Sequence, residues 1–166
     1  MKFLNKEESL AIINKIAEGI DPKDHTTFTR EGMKYICLKY PPVDAINYLS
    51  YLVAFTDPFS SWKIALLTDW SIFPNYENTF LYYSLRKMNM NTDHIYDSPG
   101  HLFLPHELNE LFSLISICIL NSYDLVVLEN NDYSRYKLSH DGFIDLYTSD
   151  EDLFLGLTKL KKDRQL

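Results

Sequence analysis

The run Leu111–Leu120 (LFSLISICIL) constrains this chain more than any other segment. It is apolar on nearly every side and is interrupted only by Ser113 and Ser116. A helix of that kind has no polar face to offer water, so it must be enclosed. At ten residues it is also too short to cross a bilayer. Pro105 stands ahead of it, where a helix tolerates the missing N–H. Glu107 and Glu110 fall in the first turns, where the helix dipole favours negative charge. The spacing predicts a central helix from Pro105 to Leu120. Three short runs follow: Tyr123–Leu128, Ser134–Leu138 and Phe143–Tyr147. Asn130-Asn131-Asp132 and His140-Asp141-Gly142 separate them and carry turn chemistry, so the three read as an antiparallel meander.

Upstream, Asn5 and Glu8 have the spacing of a capping box, with Asn in place of Ser or Thr. Leu10, Ile13, Ala17 and Ile20 recur at helical spacing, which predicts a helix over residues 5–18 with Gly19 as its stop. Asp21–Thr27 reads as a polar loop. Lys34–Tyr40 lies between Gly32 and Pro41 and reads as a strand. Pro42 opens a second helix whose apolar face is Val43, Ile46, Leu49, Leu52 and Val53, closed by Asp57-Pro58. Trp62–Thr68 is a buried strand. Asn75–Met88 is a helix with Phe80, Leu81, Leu85 and Met88 as its stripe. His94–Tyr96 reads as a short strand, and Ser98-Pro99-Gly100 as a turn. A terminal helix runs from Asp150 to about Leu160, capped by Ser149 or Asp150. No repeat, low-complexity stretch or linker interrupts the 166 residues, a length that suits one domain. The expectation is a single α+β domain over 1–166: a mixed sheet of about five strands, ending in the antiparallel meander, with helices packed on it.

Charge narrows the function. The net charge is −7, and the segment from Pro41 to Asp152 holds 16 acidic against five basic residues. The tail KLKKDRQL reverses the sign with four bases and one acid. An acidic body repels nucleic acid and anionic membrane, since both are polyanions. It attracts a basic protein instead, mainly by raising encounter rate and specificity. The opening MKFLNKEESL has no long apolar run, so a signal peptide is not expected and the cytoplasm is. Cys37 and Cys118 both sit in apolar stretches and read as buried reduced thiols.

No strong catalytic signature is present. The five glycines lie more than ten residues apart, which excludes a P-loop or a G-x-G-x-x-G cradle. His101 and His106 with Glu107 form H-x4-H-E, which does not place two imidazoles on one helical face, so no metal is expected there. His140 and Asp141 would make a dyad if Ser139, Ser134 or Cys118 served as nucleophile, but no G-x-S-x-G or similar signature supports one. Asp141 and Asp145, with Glu129 and Asp132 at the neighbouring turn, offer paired carboxylates for acid–base work if one were desolvated. No cofactor is expected. The aromatic set Trp62, Trp70, Phe73 and Tyr76 reads as core and loop packing.

The broader feature lies between Glu129 and Asp152, where seven acids outnumber two bases and Tyr133, Tyr136 and Tyr147 are interleaved. Tyrosine supplies a large contact area at low entropic cost and is enriched in interfaces. The expected partner-binding set is Glu129, Asp132, Tyr133, Tyr136, Asp141, Asp145, Tyr147 and Asp150. The opposing reading is a solvated meander edge whose charges block strand pairing between molecules.

The stretch GHLFLPHELNELFSLISICILNSYDLVVLENNDYSRYKLSHDGFIDLYTSDE is similar to segments of small acidic bacterial toxin-immunity proteins. In those a helix leads into a short meander ending in a His-Asp turn. The resemblance is architectural and compositional and covers the last third of the chain. It implies a non-enzymatic protein that binds and blocks a cognate toxin domain, a basic protein such as a nuclease. Two other readings remain at this point: a small hydrolase built on His140 and Asp141, and a structural subunit that forms a homodimer or larger homo-oligomer.

Overall fold

The computed structural model describes residues 1–16, 32–39, 63–69, 76–93, 97–121, 123–129 and 134–163. Among the described residues seven strands join in one sheet: β1 (Lys2–Leu4), β2 (Lys34–Lys39), β3 (Lys63–Asp69), β4 (Gly100–Phe103), β5 (Asp124–Glu129), β6 (Ser134–Ser139) and β7 (Phe143–Thr148). Four helices accompany them among the described residues: α1 (Lys6–Ile16), α2 (Tyr76–Met88), α3 (Leu108–Leu120) and α4 (Glu151–Asp163). The order across the sheet is β1-β4-β3-β5-β6-β7-β2, and every neighbouring pair is antiparallel. The fold is therefore α+β, with seven strands where about five were expected from the sequence.

The expected mixed sheet is corrected to an antiparallel one, and the reason is topological. A helical crossover makes parallel neighbours only when it joins adjacent strands. Here α3 carries the chain from β4 to β5, and β3 lies between them. The two strands run the same way but never hydrogen-bond to each other.

Local signals account for most element ends. Asn5 Oδ1 accepts the Glu8 N–H at 2.8 Å, and Glu8 Oε2 accepts the Asn5 N–H at 2.9 Å, so the capping box forms as read. Asp150 caps α4 by accepting the Leu153 N–H at 3.0 Å. Gly142 takes φ +80° in the β6–β7 turn, a conformation that costs glycine nothing. Strands β1 and β4 were not expected. Ser98-Pro99-Gly100 carries the residues of a turn, yet Gly100 is the first residue of β4. It is glycine for want of room: an added Cβ would overlap the Ser9 hydroxyl of α1 and sit 3.0 Å from Leu4 Cβ. The helix from Pro42, the loop at Asp21–Thr27, the His94–Tyr96 strand and the Asn130–Asp132 turn lie outside the described residues. So do Trp62, Trp70, Phe73 and the side chain of Tyr76.

The strand period of two divides the sheet into two faces. On one, Ile36, Leu38, Ala65, Leu125, Val127, Leu138, Ile144 and Leu146 pack with Leu111, Leu114, Ile115 and Cys118 of α3 and Leu153 and Leu157 of α4. Helix α3 buries the side that carries these four residues, while Ser113 and Leu120 reach solvent. On the other face, Val126 and Leu128 form a smaller cluster with Tyr147.

Candidate partner-binding face

The structure separates the eight residues expected to meet a partner. Asp132 and Tyr133 lie outside the described residues. Tyr136 is 1% exposed, because it points to the face covered by α3 and α4. Burial pushes its hydroxyl pKa up, with the nearby Glu129 charge adding to the effect. Glu129 is also buried, and it forms an ion pair with Lys63, its partner across β3, at 3.0 Å. Both residues are thus corrected from surface to interior: alternation along β5 and β6 gives them the helix-covered face. Asp150 is occupied as the α4 cap. Asp141 is exposed at the β6–β7 turn. Asp145 and Tyr147 stand together on the other face of β7.

The arrangement around Asp145 and Tyr147 includes residues that sequence reasoning missed. Strand β2 pairs with β7 so that Tyr35 opposes Tyr147 and Cys37 opposes Asp145. The Tyr35 hydroxyl donates to Asp145 Oδ1 at 2.7 Å. The two tyrosine rings lie 4.8 Å apart, tilted by 32°. Ring contact at this separation is favourable beyond the area it buries. Tyr35 remains 50% exposed. Desolvation raises its pKa well above the ordinary phenol value, and the hydrogen bond and charge of Asp145 add to that. It is therefore a fixed donor at neutral pH. Desolvation, then Asp145, also raise the Cys37 thiol, with Tyr35 and the Lys161 charge offsetting in part. Lys161 of α4 donates to the Cys37 carbonyl at 2.9 Å. No local signal could reveal Tyr35, since it lies 110 positions from Asp145 and the pairing that joins them is non-local.

The face is not a pure acidic stripe. Lys137 opposes Asp145 from β6, and Arg135 opposes Tyr147. Lys39 lies over the Phe143 ring at 5.7 Å. Lys34 pairs with Glu151 and lies over Phe154 at 5.1 Å.

The histidines are placed differently from the readings that would give them chemistry. His140 binds Asp124 and not chiefly Asp141: its backbone N–H and its Nδ1 meet Asp124 Oδ1 at 2.7 and 2.8 Å. Nε2 stands 3.5 Å from Asp141 Oδ1. Of the suggested nucleophiles, Ser134 is buried and hydrogen-bonded to Thr148, at the end of β6 away from His140. Cys118 is fully buried, and burial followed by the Asp124 charge keeps its thiol protonated. Ser139 accepts the Asp141 N–H inside the turn. His101 is fully buried, its Nδ1 3.3 Å from the Ala65 carbonyl and its ring edge-on to Phe3. His106 is exposed, while Glu107 accepts the Leu104 N–H at 2.9 Å. Both cysteines are free. Among the described residues, no group of three or more His, Cys, Asp or Glu is placed to hold a metal ion. Among them, too, no helix is long and apolar enough to cross a membrane.

No protein family, curated protein or solved structure matches the chain.

Proposed function

We propose that this protein is a non-enzymatic binding protein that neutralises a basic protein partner, a toxin domain in the manner of an immunity protein. Its binding face is the β2–β7 edge with the β6–β7 turn: Tyr35, Tyr147, Asp145 and Asp141. The observation that carries this reading is the Tyr35–Tyr147 ring contact, with the Tyr35 hydroxyl tied to Asp145 while half of the residue stays exposed. Interface energy concentrates in a few aromatic and charged anchors. An anchor already held in one conformation loses little entropy when a partner closes on it. The net charge of −7 adds long-range attraction for a cationic surface.

The test is capture from a lysate of the native host on immobilised protein, at low and at raised salt. The wild-type chain should retain a basic protein, and retention should weaken as salt shortens the screening length from about 8 Å at physiological strength. The Asp141→Lys/Asp145→Lys double variant, checked for folding by circular dichroism, should lose it. Retention of the same protein by the double variant, or indifference to salt, overturns the proposal.

A further inference from the structure

Resting on that reading, we infer that Tyr35, Tyr147 and Asp145 together form a receptor for a single arginine side chain of the partner. The inference comes from how the three groups divide the work of binding a guanidinium. The Tyr35 ring rests against Tyr147, and half of Tyr35 is open to solvent. A flat cation is attracted to an aromatic face. Asp145 lies at the hydroxyl tip of that same ring, with Oδ1 accepting from Tyr35. Among the described residues Asp145 makes no ion pair, so its charge is available to a cation that enters over the ring.

Arginine fits this combination better than lysine. A guanidinium is planar and weakly hydrated, so it stacks and donates within its own plane at once. An ammonium can use the ring or the carboxylate as a point charge but cannot lie flat on one while forking onto the other. The same edge already uses cation-over-ring contacts within the molecule, at Lys34 over Phe154 and Lys39 over Phe143. Those two lysines are thereby engaged with their own rings, and Lys161 with the Cys37 carbonyl. Lys137, across from Asp145 on β6, is a nearby cation that competes for the carboxylate. Its presence sets the site's selectivity toward a ligand that also stacks.

The experiment is an NMR titration of the full chain with two capped tripeptides, Gly-Arg-Gly and Gly-Lys-Gly. The arginine peptide should shift the Tyr35, Tyr147 and Asp145 signals and bind about two- to fivefold tighter than the lysine peptide. Tyr35→Ala should abolish the preference. Asp145→Asn, which keeps an acceptor for the Tyr35 hydroxyl, should weaken both peptides while leaving arginine ahead. Equal binding of the two peptides, or shifts scattered away from these residues, overturns the inference. Its failure is separable from that of the parent reading. Salt-sensitive capture of a basic protein with no arginine response removes only the receptor. An arginine response with no basic protein captured removes only the partner.

Discussion

His101 and Arg86 show how much of this molecule's chemistry is decided by burial. Both side chains are fully buried. The Arg86 guanidinium donates to Asn91 Oδ1 at 2.8 Å and to the Ser98 carbonyl at 3.0 Å, and it lies 4.7 Å over the Phe3 ring. The same ring meets His101 edge-on. Desolvation first, and the Arg86 charge second, lower the His101 pKa to about 3, against partial support from the Ala65 carbonyl. Between pH 6.5 and 3 the unfolded chain therefore takes up a proton that the folded chain refuses. Unfolding is favoured as pH falls, by roughly 2 kcal/mol between pH 6.5 and 5. Urea denaturation across that range should show the loss, and His101→Asn, which keeps a donor but does not titrate, should show a shallower one. Equal slopes for the two proteins would refute this account. In the sequence, His101 stands out only as half of a spaced pair with His106. Nothing in GHLF marks that imidazole as interior.

Elements were legible where the signal is local. The Asn5–Glu8 box, the Asp150 cap, the Gly142 turn and the apolar run of α3 each act within a few residues, and each appears at its expected place. Strands β1 and β4 were hidden because three and four residues are too few to display alternation. Gly100 added a false cue, since a glycine that admits a neighbouring helix looks like a glycine that makes a turn. That difference can be tested. Gly100→Ala should destabilise the protein by about 1–3 kcal/mol through overpacking against α1. Ser9→Ala should recover part of this, because it removes the hydroxyl that the new methyl would strike, although Ser9 Cβ stays close at 3.3 Å. Thermal unfolding of the two single variants and the double variant forms the cycle. Strict additivity would mean that the glycine serves another purpose.

At the scale of the whole molecule, the decisive fact is the position of β2. It leaves its sequence neighbours and joins the sheet beside β7, which creates the Tyr35–Asp145 contact and leaves β2 as an edge among the described residues. Strand order depends on which long loops close, and no residue near Lys34 announces it. The sheet therefore divides the residues expected to meet a partner. Asp145 and Tyr147 stay on the sheet face opposite the helices, Glu129 and Tyr136 turn inward, and Tyr35 arrives from another part of the chain. An edge strand is also a hazard, because its unpaired backbone groups can recruit a second molecule. Here the edge carries Lys34 and Lys39 at its two ends, and Lys161 occupies the Cys37 carbonyl between them. Two copies of KYICLK paired antiparallel would bring Lys34 of one against Lys39 of the other, a like-charge contact at each end. These three lysines act as the guard on the edge. Replacing all three with alanine should turn β2 into a sticky surface, seen as a concentration-dependent rise in mass by light scattering relative to wild type. Lys161→Ala alone should give a weaker rise, since the end charges remain. An unchanged mass in the triple variant would place the protection elsewhere in the molecule.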